Sequence, residues 1–423
     1  MSTPSDLSTS SFSRHFVIGG AGFLGSHIVD ALVGHSRVQS ISVFDLATPP
    51  HDFRAKGVEY ITGDIVNEEN LTDALKKAQP DVVYHTASPV HGLPVPIYHR
   101  VNIEGTRAVI SACRAAGVKN LVYTSSTGVV WTGADIAGGT EDQLSIPSQG
   151  YDAYHHTKAV GEQLVLKENG KDDLRVVILR LCGMIGERDK QMIWRLAQVL
   201  EDGQQHIQIG NNNNLIDYLY VGNAASAHIL AAEKLANVPE TVAGQFFFIT
   251  NGSPMLPWDM NRLVWKELGD DGSKKTVVIP RAIGILMAFI SELWSKITGK
   301  PTEFTRFSIR FITAVQWYSI EKIFTRRAIV INSYSIAIDL LDKRSSIYSD
   351  RADLKMLDLM GWGFNVAFMH YTDPRWRKYR RLMHAGIGSP KKPAMEQMLL
   401  QRSDHLIHQL LYSNRDFNLE LIE

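Results

Sequence analysis

The sequence predicts an α/β protein: a doubly wound parallel sheet, a small substrate lobe on its C-terminal side, and a mainly helical, incomplete segment after that. Three observations predict it. Short apolar runs alternate with helical apolar patterns through most of the chain, as repeated βαβ units require. The first apolar run leads into glycines spaced by three, Gly19, Gly22 and Gly25. Beyond about residue 325 the alternation stops, and a helical pattern carries the most basic stretch of the chain, DPRWRKYRRLMH at 373–384.

Composition narrows the function classes. Of 423 residues, 44% are hydrophobic and 21% charged, the ordinary balance of a core-burying protein. Lys+Arg and Asp+Glu are both 44, so no whole-protein field draws the chain to DNA or RNA, and no nucleic-acid partner is expected. The two cysteines, Cys113 and Cys182, have no pairing motif around them. That excludes a disulfide framework and a cysteine zinc site, and it fits a reducing compartment. Residues 1–14 are Ser/Thr-rich with no apolar core, which reads as a disordered tail and not a signal peptide. The most apolar helical stretch is 279–297, uninterrupted only from Ala282 to Ile290. That is too short to span a hydrocarbon layer of about 30 Å. Two readings stay open for it: an interfacial helix with Trp294 and Lys296 at the headgroups, or a buried helix of the substrate lobe.

The elements follow in order. Phe16 to Ile18 reads as a buried strand, and Phe23, Leu24, Ile28 and Leu32 as the inner face of the next helix. Between them the three glycines each have a use: a tight turn, close approach of a pyrophosphate, and close packing of helix on strand. This is a Rossmann-type dinucleotide turn, with phosphate on the helix N-terminus. A second strand ends at Asp45, twenty residues past Gly25, where a carboxylate binds a ribose diol. It would repel a 2′-phosphate, so NAD is expected over NADP. A third strand leads to Asp64 and Ile65, placed for adenine. A fourth ends at Ala87, beside the expected nicotinamide region.

NLVYTSSTGVV at 120–130 is a further strand, and it delivers Ser125 and Ser126 at the end where open α/β sheets bind ligands. Next comes a helix with Tyr154 and Lys158 four apart, hence on one face. A free tyrosine, with a pKa of about 10, is a poor base at neutral pH, and a nearby ammonium favours its phenolate. A serine hydroxyl would hold the substrate oxygen while Tyr154 takes its proton and hydride leaves for the cofactor. Side chains alternate across a strand, and Ser125 is the one expected to point into the sheet, so Ser126 is the expected catalytic serine. Ser125, Tyr154 and Lys158 are also expected to line the cofactor, with Lys158 hydrogen-bonding the nicotinamide ribose. No metal is expected. His155 and His156 diverge on the helix, His85 and His91 flank a loop with Pro89, and all four read as solvated or structural.

GGAGFLG, HTASPV, VNIEGTRAVISACRAAGVKNLVYTSS, Tyr154-x-x-x-Lys158 and DYLYVGNAASAHILAAE occur in a known order. Over roughly the first 320 residues the chain resembles the 3β-hydroxysteroid dehydrogenase family of extended short-chain dehydrogenases. Within it, the likeness is to the fungal branch that oxidises and decarboxylates sterol 4α-carboxylates. The resemblance implies NAD as cofactor, a sterol substrate, and Val221 and Asn223 on the cofactor's far side. It also implies an endoplasmic reticulum location on the cytosolic face, with 279–297 as the membrane-associated region and other enzymes of sterol C4 demethylation as partners. One departure is Leu181, where that family usually carries proline. Oxidation of another 3β-hydroxysteroid or cyclic alcohol without decarboxylation, and cofactor binding without turnover, remain open alternatives.

Past Lys322 the family pattern ends. The continuation resembles the N-terminal part of a fungal cytochrome P-450, in which Trp-x-x-x-Arg, here Trp376 and Arg380, contacts haem propionates. No cysteine follows residue 182, so no thiolate is available there for haem iron. The expected organisation is a dehydrogenase at 15–325 and a partial monooxygenase segment at 326–423 with no functional haem.

Overall fold

The computed structural model describes residues 12–320, apart from 34, 36, 52, 53, 300, 301 and 303. The expected C-terminal segment, with Trp376 and Arg380, and the first eleven residues of the expected tail lie outside the described residues. The strands, in chain order, are β1 (Arg14–Ile18), β2 (Ser40–Asp45), β3 (Val58–Thr62), β4 (Val82–His85), β5 (Asn120–Ser126), β6 (Ile136–Gly139) and β7 (Arg175–Leu181). They continue as β8 (Gly183–Ile185), β9 (Ile207–Ile209), β10 (Tyr218–Tyr220), β11 (Gln245–Ile249), β12 (Val277–Ile279) and β13 (Gln316–Tyr318). The helices are α1 (Phe23–Val33), α2 (Glu68–Ala78), α3 (Val95–Tyr98), α4 (Thr106–Ala115) and α5 (Ala153–Leu166). After them come α6 (Met192–Glu201), α7 (Val221–Asn237), α8 (Pro257–Glu267), α9 (Arg281–Thr298) and α10 (Arg306–Thr313).

The main sheet has seven strands in the order β11-β7-β5-β4-β1-β2-β3, every pair parallel. Parallel strands covered on both faces must be apolar throughout, which is why β5 and β7 read as near-continuous buried runs. On one face Ile28 and Leu32 of α1 and Ala232 and Leu235 of α7 fill the core. On the other face Leu71 and Leu75 of α2, Val109 of α4 and Val165 of α5 do the same. The chain leaves β1 toward β2 and β3, then crosses back to β4 on the other side. That reversal opens a crevice at the C-terminal ends of β1 and β4, where ligands of such sheets bind.

Residues 12–14, at the end of the stretch expected as a tail, are built into the fold. Ser13 and Arg14 donate their backbone N–H groups to Asp81 Oδ2, both at 2.8 Å, and Phe12 meets the His15 ring edge-on. β1 can therefore start at Arg14, because Asp81 ahead of β4 receives its first donors.

A second lobe is assembled from short parallel pairs, β8 with β10, β9 with β12, and β6 with β13. Trp258, Trp265, Ala288 and Ile309 form one of its cores. Within α9 only Gly284 and Ala288 are buried. Ile283, Leu286, Ile290, Leu293, Trp294 and Ile297 are 50–71% exposed, so the buried-helix reading fails for most of this helix. No helix of the described residues is long and apolar enough to cross a membrane.

Candidate active site

The glycine turn sits at the sheet's switch point. Gly19 has φ +83°, and a Cβ there would lie 2.7 Å from the backbone nitrogen of Ala87, so β4's end passes close against the turn. A Cβ on Gly25 would lie 2.1 Å from Gly19 O, which is the tight helix-on-turn contact that its spacing predicts. Gly22 N–H donates to Gly19 O, closing the turn just before Phe23 and Leu24 start α1.

Asp45 ends β2 facing this turn. Its Oδ2 accepts Ala21 N–H at 2.9 Å and its Oδ1 accepts Leu46 N–H. Burial raises its pKa above the ordinary carboxylate value, against those hydrogen bonds. Asp64 pairs with Arg100 and accepts Val66 N–H, while the Ile65 side chain is buried against Gly105. Val221 is fully buried in the sheet core, so only its backbone at the start of α7 is available to a ligand. Asn223 donates to Asn251 Oδ1 at 3.0 Å.

The two serines separate as alternation across the strand requires. Ser125 points inward and donates to Glu162 Oε2 at 2.5 Å, so its hydroxyl is not offered to a cofactor. Ser126 is partly exposed, and its oxygen accepts Gly128 N–H at 3.1 Å, leaving its O–H free to donate. Leu181 closes β7 in register with Ser126 and Ile249, its side chain buried.

The Tyr–Lys helix α5 starts with Asp152 as its cap, whose Oδ1 accepts His155 N–H at 2.9 Å. Lys158 is buried, donates to Thr124 O at 2.7 Å, and lies 4.8 Å over the Tyr123 ring. Burial lowers its pKa to about 8, with the Glu162 carboxylate pulling the other way. Tyr154 does not have the lowered pKa expected from the Lys158 ammonium. Burial raises it to about 12, a hydrogen bond with Ser88 lowers it, and Asp152 and Tyr98 raise it further. The physical reason is burial, which costs the phenolate more than its hydrogen bond with Ser88 returns.

Several residues here were missed in the sequence. Ser88 bonds to Tyr154 and donates to Asn102 Oδ1, and Asn102 in turn donates to Thr157 on α5. His91 and His155 both donate to Asp152, at 2.7 and 2.8 Å. Ligand-type atoms of these three lie within 4.8 Å of one another. His91 also stacks on Phe307 of α10 at 4.3 Å and meets Tyr154 edge-on at 5.5 Å. Adjacency in HTASPVHG offered a signal for Ser88 and His91. The pairing with Asp152, 61 residues away, had none.

Glycine turn, acidic strand end and Tyr-x-x-x-Lys helix on one seven-stranded parallel sheet define an oxidoreductase fold of the extended short-chain type. The model of the 3-beta hydroxysteroid dehydrogenase/isomerase family matches residues 16–281, and the chain belongs to that family. It is 37% identical over 317 residues to the decarboxylating sterol-4-alpha-carboxylate 3-dehydrogenase of Candida albicans, a match covering 72% of this chain and 89% of that one. The protein of the same name from Saccharomyces cerevisiae is 39% identical, covering 72% and 90%. Among solved structures, UDP-glucose 4-epimerase of Thermus thermophilus in complex with NAD aligns with a TM-score of 0.53 at 25% identity. That alignment covers 63% of this chain and 86% of the epimerase. A cytochrome P450 model matches residues 298–419, as the resemblance past Lys322 implies.

Proposed function

We propose that the protein oxidises the 3β-hydroxyl of a 4α-carboxysterol to the 3-ketone with NAD, and that the 4-carboxylate leaves as CO₂. The observation that carries this reading is half-buried Tyr154 and buried Lys158 on one helix beside the end of β5, in a chain 37–39% identical to enzymes named for that reaction.

The residues fit the cofactor. Side chains are missing where backbone must come close, at Gly19, Gly22 and Gly25, and a carboxylate ends β2. Those glycines with Phe23 and Leu24 would hold the pyrophosphate, Asp45 the ribose diol, and Asp64 and Ile65 the adenine. Ala87, Lys158 and the Val221 backbone would border the nicotinamide end. Bound NAD⁺ supplies the acceptor for the C3 hydride. Ser126 donates to the substrate oxygen, and Tyr154 Oη receives the hydroxyl proton. Lys158, charged below about pH 8, would hold the nicotinamide ribose, and the hydrogen bond with Ser88 is what favours the phenolate that this transfer needs. The resulting 3-ketone stands beside the 4-carboxylate. When the bond from C4 to the carboxylate carbon breaks, its electrons move into the ketone as an enolate, and the protonated Tyr154 donates to that oxygen.

The exposed apolar row of α9 supports a peripheral seat on the endoplasmic reticulum surface, next to other enzymes of sterol C4 demethylation. The catalytic unit is 15–325, and the 326–423 segment contributes no haem chemistry because both cysteines precede it.

Tyr154→Phe should abolish NADH formation from the carboxysterol while leaving NAD binding intact, and undiminished turnover would overturn the assignment. Product mass separates this reaction from plain dehydrogenation, since only the former loses CO₂. Leu286→Ser with Ile290→Ser should release the protein from sterol-containing vesicles in flotation, with its melting temperature unchanged. Equal flotation would remove α9 from the membrane reading.

A further inference from the structure

The proposed reaction differs from ordinary sterol dehydrogenation in one group, the carboxylate next to the carbinol carbon. Once the carbinol oxygen sits on Tyr154, that carboxylate must lie within a few ångströms of the same phenol. Few cationic side chains of the described residues are in reach. Lys158 is buried and donates to Thr124 O. Arg310, on α10, donates to Tyr151 Oη. His155 is buried and donates Nδ1–H to Asp152 Oδ1. His91 is different: its side chain is 35% exposed and its ring lies 5.5 Å from the Tyr154 ring.

The orientation of His91 is fixed from three sides. Nε2–H donates to Asp152 Oδ2 at 2.7 Å, one face stacks on Phe307 at 4.3 Å, and the ring meets Tyr154 edge-on. Asp152 is itself immobile, because it caps α5 and holds His155. With Nε2 spent on Asp152, the ring's other nitrogen, Nδ1, is the one left for a ligand, and it donates only when the ring carries both protons.

We propose that His91, held by Asp152, is the specificity-determining residue that receives the 4α-carboxylate through Nδ1–H. This rests on the carboxysterol reading above. A single donor also suits the chemistry that follows. A bidentate guanidinium would hold the carboxylate against leaving, whereas one hydrogen bond orients it for oxidation and then lets it go as CO₂.

The test compares two sterols that differ only at C4, one with a carboxyl and one with a methyl group, in wild type and His91→Gln. Melting temperature and NAD affinity serve as the check on folding. The expected result is a loss of tenfold or more in kcat/KM for the acid, the size of one charge-assisted hydrogen bond, with the methyl sterol changed less than about threefold. Equal losses on both sterols would make His91 part of the general scaffold and overturn the proposal, as would undiminished turnover of the acid. Wild-type protein that oxidises the methyl sterol as well as the acid would also overturn it, while leaving the dehydrogenase reading standing. Oxidation of neither sterol would instead remove the reading on which it rests.

Discussion

Replacing Glu162 by Gln is the sharpest test of how the Tyr–Lys helix α5 is held. Glu162 lies four residues, one helical turn, past Lys158, with its side chain fully buried. Its Oε1 accepts Arg180 Nη2 at 2.6 Å and Nε at 3.1 Å, and its Oε2 accepts Ser125. Arg180 is 2% exposed and lies flat 3.9 Å over the Phe246 ring. One carboxylate therefore ties α5 to both β5 and β7. Glutamine keeps the shape but leaves the guanidinium buried without a counter-charge, which costs about 3–5 kcal/mol. For a unit of about 300 residues the unfolding entropy is roughly 0.6 kcal/mol/K, so the melting temperature should fall by about 5–8 °C. The same carboxylate supports the charge on Lys158, so the alkaline limb of the activity profile should move to lower pH in the variant. Differential scanning calorimetry at pH 7 and a pH profile of kcat/KM read the two effects separately. Glu162→Leu with Arg180→Met should recover much of the stability, since no charge is then stranded. A single-variant cost below about 1 kcal/mol, or a double variant that sums two full losses, would refute this account.

Two further outcomes follow from the same structure. Gly25→Ala places a Cβ 2.1 Å from Gly19 O and 2.7 Å from Gly20 Cα, both backbone, so neither neighbour can step aside. Overpacking of this kind costs about 1–3 kcal/mol, and NAD retention measured by fluorescence titration should fall with it. Burial also lowers three neutral imidazoles, His15 to about 4, His85 to about 3 and His228 to about 4. In the unfolded chain each takes a proton near pH 6.5. Their stabilisation is therefore complete above that value and is lost as pH falls toward 4. Asp217, raised to about 6 by burial, and Asp45, also raised by burial, act in the opposite direction, but they are two carboxyls against three imidazoles. Urea midpoints at pH 7 and pH 5 should show a clear drop, and equal midpoints would contradict the burial of these rings.

The sheet was legible because parallel strands buried on both faces write themselves as apolar runs, and glycine at Gly19 and Gly25 is demanded by contacts as close as 2.1 Å. The opposite facing of Ser125 and Ser126 was legible too, since alternation along β5 is a property of any strand. Tyr154's environment was not. Helical spacing puts Lys158 on its face, but no spacing says that Thr124 O will take the ammonium or that burial will raise the phenol. His91 and Ser88 were visible only as members of a loop. What makes them site residues is Asp152 and Asn102, brought to them by the fold from 61 and 14 residues away. The same holds for α9. Its composition permits burial or exposure, and the choice depends on how little of it the second lobe covers.

The boundary between the two family likenesses shows similarity and packing answering different questions. The cytochrome P450 match starts at residue 298, at the end of α9. Yet the residues just beyond are built into the dehydrogenase. Thr305 and Ser308 close a capping box at the start of α10, and Glu292 of α9 holds Arg306. Phe307 stacks on His91, and Ile309 enters the core with Trp258 and Trp265. β13 then pairs with β6, and Asp217 Oδ2 accepts Tyr318 N–H at 2.7 Å. A junction at 298 would remove the residue that packs behind His91 and would leave buried Asp217 without that donor. Hydrogen bonds and buried side chains thus keep residues 305–318 with the first unit, whichever family profile happens to extend over them.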